Sequence, residues 1–307
     1  MRRIDRLEDL AGVAAPLCVA IGVFDGVHVG HCAVIGRAVD AARQLGGLAG
    51  VVTFEPHPIR VIAPGKAPRR LLASVEHKQE ILAGLGVNVL SVVHFDAAFA
   101  ARSADEFIDL LAGPPPDLRL VAVGEDWRFG HGRSGDVALL QRAGAARGFT
   151  LAAVPPVMMD GERVSSTRIR QAIRDGQLAA AARMLGRPYA VAGRVVVGRR
   201  LGRELGFPTL NLTVGDEQLP PDGVWTVQVR AGGGRHAGVA NLGRRPTVSG
   251  EERTLEAHLF HFDGDLYGAW VEVEFGRFLR AERKFASLDE LKAQIARDVA
   301  AARSEPG

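Results

Sequence analysis

Between residues 17 and 154 the chain alternates short, unbroken apolar runs with stretches of helical spacing. The runs Leu17 to Val23, Leu48 to Phe54, Val89 to Phe95, Leu118 to Val123 and Thr150 to Val154 do not alternate with polar residues. That pattern predicts strands covered on both faces, as in a parallel sheet. Ser103-Ala-Asp-Glu106 precedes Phe107, Ile108, Leu110 and Leu111, the arrangement of a capping box that opens a helix. Strands and helices in this order make a βαβα unit, whose ligands bind beyond the carboxyl ends of the strands.

After a helical stretch from Ser166 to Leu185 the period changes. Short strands with glycine and proline turns are predicted at Val191 to Val197, Gly223 to Arg230, Ala237 to Ala240, Thr254 to Phe262 and Ala269 to Phe275. Val271, Val273 and Phe275 alternate with Glu272 and Glu274, so one face of that strand is buried. An antiparallel barrel or sandwich follows. Ser287-Leu-Asp-Glu290 is a second capping-box sequence, and Leu288, Leu291, Ile295 and Val299 form one stripe of a closing helix. The chain is therefore expected to form two α/β and β domains, 1–185 and 186–307.

Composition narrows the picture. With 307 residues, 47% hydrophobic and 24% charged, the chain is long enough for two cores. The pI is about 9.2, yet the net charge is +3 and only four of the 38 basic residues are lysines, at 66, 78, 284 and 292. The arginines are scattered, so no nucleic-acid partner is expected. Cys18 and Cys32 form no CxxC pair, which fits reduced thiols in the cytoplasm. No run approaches 18 apolar residues and the N-terminus lacks a leader pattern, so no membrane association is expected.

The candidate chemistry lies at the ends of strands. GVFDGVHVGH, Gly22 to His31, places His28 and His31 on a first helical turn, where backbone N–H groups and the helix dipole favour an anion. Gly22, Gly26 and Gly30 would let a backbone approach a nucleotide. A metal would need further ligands and commonly a different histidine spacing. GEDWRFG, Gly124 to Gly130, follows the fourth strand, and VSSTRIR, Val164 to Arg170, opens a helix with hydroxyls and arginines. Together these describe a phosphate pocket that works by positioning and charge.

In the second half the glycines at 193, 198, 202 and 206 could bend around phosphates without forming a Walker loop. Thr209 and Asn211, two apart on an extended segment, offer hard oxygens suited to Mg²⁺ and ATP. Glu256 shares a face with His258, Phe260 and Phe262 by alternation; a carboxylate so placed could act as a general base, and an ordinary edge-strand glutamate has the same pattern.

These segments carry a resemblance. GVFDGVHVGH, TFEPHP at Thr53 to Pro58, GEDWRFG and VSSTRIR resemble, in order and spacing, the adenylyltransferase module of the bacterial bifunctional riboflavin kinase/FMN adenylyltransferases, also called FAD synthetases. GRPY at Gly186 to Tyr189, FPTLN at Phe207 to Asn211, GVANLGRRPTV at Gly238 to Val248, LEAHLFHFDGDLYG at Leu255 to Gly268 and FLRAERKF at Phe278 to Phe285 resemble the kinase module. The resemblance implies a Rossmann-like nucleotidylyltransferase domain with a parallel sheet, followed by an antiparallel flavokinase β-barrel with a terminal helix.

For function it implies phosphorylation of riboflavin to FMN and adenylylation of FMN to FAD, with ATP as co-substrate and Mg²⁺ as cofactor. His28 and His31 would stabilise the α-phosphate transition state. Gly22, Phe24, Asp25, Gly30 and Asp126 would hold nucleotide, and Ser165, Ser166, Thr167 and Arg168 its phosphates. In the kinase half, Gly193, Gly198, Gly206, Pro208, Thr209 and Asn211 would bind ATP, the last two through Mg²⁺, while Glu256 activates the riboflavin 5′-hydroxyl. His57, Phe278 and Arg280 are the implied flavin contacts. Trp127 replaces the family's usual phenylalanine, and Leu210 its alanine. Two alternatives stay open at this point, namely a protein with one active half whose barrel merely binds flavin, and an RNA- or flavin-responsive binding protein.

Overall fold

The computed structural model describes residues 1–13, 15–113, 117–198, 201–247 and 250–304. Arg199 and Arg200 of the glycine-rich stretch and Val248 of the GVANLGRRPTV segment lie outside the described residues. The chain divides into two compact units, residues 1–69 with 75–166, and residues 70–74 with 167–307.

The first unit is built on six parallel strands: β1 Arg2–Ile4, β2 Leu17–Ile21, β3 Leu48–Glu55, β4 Val89–His94, β5 Leu118–Gly124 and β6 Thr150–Val154. Their order is β1-β4-β3-β2-β5-β6. Helices α1 Val29–Gln44, α2 Pro58–Ile62, α3 Val75–Gly84, α4 Ala97–Ala100, α5 Ala104–Ala112 and α6 Val137–Arg147 make the crossovers. The reason β2 reads as an unbroken apolar run is visible in its packing. Leu17, Val19 and Ile21 join a core with Phe107, Ile108 and Leu111, while Cys18 and Ala20 join another with Ile35, Val39 and Leu82. Both faces are covered, so no position can be polar.

Five of the strands are the expected ones. The sixth, β1, has three residues of which one is buried, too short to show a period. The capping box at Ser103 is complete, with Glu106 N donating to Ser103 Oγ and Ser103 N to Glu106 Oε2. From β2 the chain moves outward through β3 and β4, then crosses back to place β5 on β2's other side. The direction of winding therefore reverses between β2 and β5, and a crevice opens there at the carboxyl ends. A short hairpin, β7 Met158–Met159 and β8 Glu162–Arg163, follows β6.

In the second unit, α7 Ser166–Arg174, apart from its first residue, and α8 Leu178–Leu185 precede a closed antiparallel barrel. Its strands are β9 Ala190–Val196, β10 Leu210–Thr213, β11 Gly223–Ala231, β12 Gly234–Thr247, β13 Gly250–Leu259 and β14 Trp270–Arg280. They close in the order β10-β13-β12-β11-β14-β9, which removes every free edge. A turn of helix, α9 Leu201–Glu204, precedes β10, and α10 Leu288–Arg303 ends the unit. Two expectations are corrected here. Phe262 lies beyond β13, past a turn at His261 with φ 54°, so it does not share the face of Glu256 and instead packs edge-on against His236. The stripe of α10 starts one turn later than expected, since Leu288 is 58% exposed while Ile295 and Val299 pack with Val224 and Val239. Among the described residues no helix is long and apolar enough to cross a membrane.

A buried carboxylate fastens residues 70–74 within this unit. Glu217 is 1% exposed, and its oxygens accept from Ser74 N at 2.8 Å and from Ala192 N at 3.0 Å. Leu71 N donates to Asp216 O and Gln218 N to Leu71 O, at 2.8 and 2.7 Å. Truncating Glu217 to Ala removes the acceptor of the buried Ala192 N–H and of the part-buried Ser74 N–H, a cost of about 1 to 4 kcal/mol. Glu217→Ala is expected to lower the second unit's unfolding midpoint in calorimetry of the full chain, with Glu217→Gln, which keeps one acceptor, in between. An unchanged midpoint would contradict this account of the segment.

Candidate active sites

The turn after β2 is strained. Phe24, Gly26 and Val27 have φ of 49°, 80° and 42°, and a β-branched residue at positive φ is a true outlier. Such residues cost on the order of 1–3 kcal/mol each and persist only where their surroundings hold them. Here Phe24 is 3% and Val27 0% exposed. Ser166 Oγ donates to Asp25 O at 2.9 Å, and Val23 O accepts from both Thr53 Oγ1 and Lys78 Nζ at 2.9 Å.

The turn delivers His28 as the N-cap of α1, its Nδ1 accepting from His31 N at 3.3 Å. With Nδ1 an acceptor, the proton of the neutral ring sits on Nε2. The two imidazoles stack with centroids 3.5 Å apart and planes 18° off parallel, and His31 meets the Phe24 ring edge-on at 5.4 Å. Gly22 and Gly30 have a local reason: a Cβ at Gly22 would come within 2.8 Å of the Phe24 ring, and one at Gly30 within 3.1 Å of His28. Both glycines make room for the turn's own rings. The result is a paired imidazole surface at the positive end of a 16-residue helix, a setting that favours phosphate.

Across the crevice, β5 leads into Asp126 and Trp127. The Asp126 carboxylate is forked to Arg163 of β8, at 2.5 and 3.2 Å. Arg163's hydrogen bonds hold this carboxyl below the ordinary aspartate range. Trp127 stacks on Phe129 at 4.6 Å and leans on Phe107 at 5.9 Å. Phe99, Phe95 and Phe54 continue that aromatic row, which alternation along the sequence did not reveal because its members come from different strands and helices. His57 caps α2, with Nδ1 accepting from Ile59 N at 3.3 Å. Ser165 and Ser166 end the first unit's chain, whereas Thr167 and Arg168 begin the second unit, where Arg170 Nη2 donates to Thr167 Oγ1 at 3.3 Å.

On the barrel, strand register assembles the second constellation. Val196, Asn211, Glu256, Asn241, Val224 and Arg280 stand directly opposite one another on six successive strands. Residues paired this way project to one face, so Glu256 is flanked by two amides. The amide of Asn241 was missed because the predicted strand stopped at Ala240, whereas β12 runs on to Thr247. Leu210, between Thr209 and Asn211, is 8% exposed and points away from both.

Two cavities flank this row. One of about 290 Å³ is lined by Glu256, Asn241, His258 and Arg280 together with apolar Phe207, Phe285 and Ile295. The other, about 420 Å³, is lined by Arg203, Pro208, Asp263, Asp265 and Tyr267. Thr209 lines both. A Cβ on Gly198 would fall 2.4 Å from the Asn211 amide, and one on Gly193 would fall 2.3 Å from Thr213 O. Gly198 thus seats the Asn211 side chain, Gly193 admits the neighbouring strand, and Gly206 takes φ 87° in the turn before β10. Arg280 is held by Asp298 of α10 at 3.0, 3.0 and 2.7 Å. Phe278 packs edge-on against Trp225 at 4.9 Å, outside the lining of either cavity.

Two family models match the chain, FAD synthetase over residues 12–168 and riboflavin kinase over residues 185–305. A bifunctional riboflavin kinase/FMN adenylyltransferase of Escherichia coli (strain K12) is 43% identical, the alignment covering 99% of this chain and 97% of that one. One from Pseudomonas fluorescens is also 43% identical, over 94% and 92%. A solved structure titled as a macrolide-efflux protein from Streptococcus pneumoniae superposes with a TM-score of 0.82 at 31% identity, covering 99% of each chain.

The Asp126–Arg163 pair gives a direct check on this geometry. Because the folded carboxyl titrates below its unfolded value, its contribution to stability is present above the unfolded pKa and is lost as pH falls through the folded one. With both side chains more than half exposed, solvent screening keeps that contribution small. Carbon-detected NMR titration is expected to place Asp126 below the ordinary aspartate value, and Arg163→Met to move it upward. No movement in that variant would contradict the pairing.

Proposed function

The chain belongs to the bifunctional riboflavin kinase/FMN adenylyltransferase family, and from that premise we propose how its two sites divide the work. The chain phosphorylates riboflavin to FMN with one ATP and adenylylates FMN to FAD with another, releasing pyrophosphate. One observation supports the division: the stacked imidazoles and the amide-flanked carboxylate lie in different units. We set the functional boundary at 185/186, next to residue 185, where the riboflavin kinase match begins.

In adenylyl transfer an oxygen of the FMN phosphate attacks the α-phosphorus of ATP, and the bond to the β-phosphate oxygen breaks. No covalent protein nucleophile is required. His28 and His31 donate to the α-phosphate as negative charge gathers there, Ser165 and Ser166 hold the outer phosphates, and Asp126 exchanges Arg163 for the nucleotide. Half-buried Trp127, stacked on Phe129, offers an aromatic face for the flavin ring, and His57 a second contact.

In the kinase reaction Glu256 accepts the proton of the riboflavin 5′-hydroxyl as that oxygen attacks the γ-phosphorus, and ADP leaves. The smaller cavity, where Phe207, Phe285 and Ile295 form an apolar wall beside the carboxylate of Glu256, suits the flavin, and the larger suits ATP. Thr209, which lines both, stands where the phosphates would pass between them. The Thr209 hydroxyl and Asn211 amide are hard oxygen donors, the right class for Mg²⁺. Among the described residues no group of three or more His, Cys, Asp and Glu side chains could hold a metal ion, so Mg²⁺ would complete its shell with phosphate oxygens. When bound, it neutralises the charge of the transferring phosphoryl group. Cys18 and Cys32, which do not form a disulfide with each other, support a reducing, cytoplasmic setting.

The roles separate by mutation in the full chain, since residues 70–74 pack with the barrel. Glu256→Ala is expected to stop FMN formation, a loss of about 10² to 10⁴ in rate, while FMN is still converted to FAD. Removing both His28 and His31 side chains is expected to do the reverse, each ring being worth roughly 10² to 10³. If either variant lost both activities while folded, the assignment of roles would be wrong.

A further inference from the structure

We infer that Lys78, buried beneath the turn after β2, is a positioning residue for adenylyl transfer, holding the backbone that presents His28. The inference rests on the adenylyltransferase reading of that site. Lys78 is 4% exposed on α3, and lysine is almost never buried unless its ammonium is paired. Its Nζ donates to Val23 O at 2.9 Å and to Thr53 Oγ1 at 3.3 Å, and Thr53 Oγ1 in turn donates to Val23 O at 2.9 Å. The three groups close a triangle in which both lone pairs of the Val23 carbonyl are used.

The placement of that carbonyl gives the triangle its purpose. Val23 immediately precedes the residues with positive φ, Phe24, Gly26 and Val27, and His28 follows Val27 directly as the helix cap. A turn of this kind stores strain and relaxes unless anchored. The Val23 carbonyl is an anchor at its entrance, tied to β3 through Thr53 and to α3 through Lys78. Burial pulls the Lys78 ammonium below the usual lysine range, opposed by the carboxylates of Asp25 and Glu55, so acidic groups on both the turn and β3 face the same charge. An apolar residue there would suffice for packing, and the lysine adds what packing does not, a direction for one carbonyl. Lys78 touches none of the reacting atoms and acts through His28.

Lys78→Met keeps the side chain's length and removes its donors. In the full-length protein with Mg²⁺, ATP and FMN, kcat for FAD formation is expected to fall about 10²-fold, the scale of a misplaced reacting group. KM for ATP and for FMN should stay within about threefold, and riboflavin phosphorylation by the same molecule should be unchanged, reporting that the chain is folded. Thr53→Val, which keeps the shape and drops one corner of the triangle, should lower the same kcat by roughly tenfold, and Thr53→Ser should restore it. A Lys78→Met protein that makes FAD within about threefold of the parent, or whose only change is a raised KM, overturns the inference. If Lys78→Met unfolds, Thr53→Val decides alone, and an unchanged kcat there overturns it as well. A parent protein that makes no FAD would instead refute the reading on which the inference rests.

Discussion

A parallel sheet fixes where chemistry can happen, because every strand delivers its carboxyl end to the same edge. In this chain the winding reverses between β2 and β5, so the loops leaving those neighbours must part. The histidine turn and the Asp126 loop are those two loops. Strand order brings them to neighbouring places on that edge, although about a hundred residues of sequence separate them.

The barrel reaches the same end by different geometry. A closed antiparallel sheet has no common carboxyl edge, so its functional groups are brought together sideways, by register. Asn211, Glu256, Asn241 and Arg280 come from four strands yet stand in one row. A single-residue slip of β13 would turn Glu256 toward the packed side where Leu255 and Ala257 now lie. The same hydrophobic alternation that fills the barrel therefore aims its carboxylate. Its partner groups are held in turn, Arg280 by a carboxylate of α10 and Asn211 by the absence of a Cβ at Gly198.

What the sequence makes legible follows from the range of the interactions involved. Strands buried on both faces, the capping box at Ser103 and the period-two strand ending at Phe275 are set by neighbours within a few residues, and the structure has them all. The histidine pair and the Thr209 to Asn211 segment stand out by their local chemistry, and the structure puts the first at the start of α1 and Thr209 on the lining of two cavities. Lys78 was not, since its partners Val23 and Thr53 lie 55 and 25 residues away, and a lysine on a helix reads as a solvated face. The Asp126–Arg163 pair, 37 residues apart, and Asn241, set by cross-strand register, were hidden for the same reason. Phe262 was misplaced because alternation was carried through a turn that only the positive φ of His261 discloses.

The central claim is that one polypeptide holds two separate ATP-dependent sites acting in sequence on a flavin. Its most direct measurement follows riboflavin, FMN and FAD by chromatography while the intact, purified chain consumes ATP in the presence of Mg²⁺, starting from riboflavin alone. The account predicts FMN rising first and FAD after it, with ADP formed for every flavin phosphorylated and pyrophosphate for every flavin adenylylated. Riboflavin left unchanged by the folded chain, or FMN that accumulates without FAD or pyrophosphate, would contradict it.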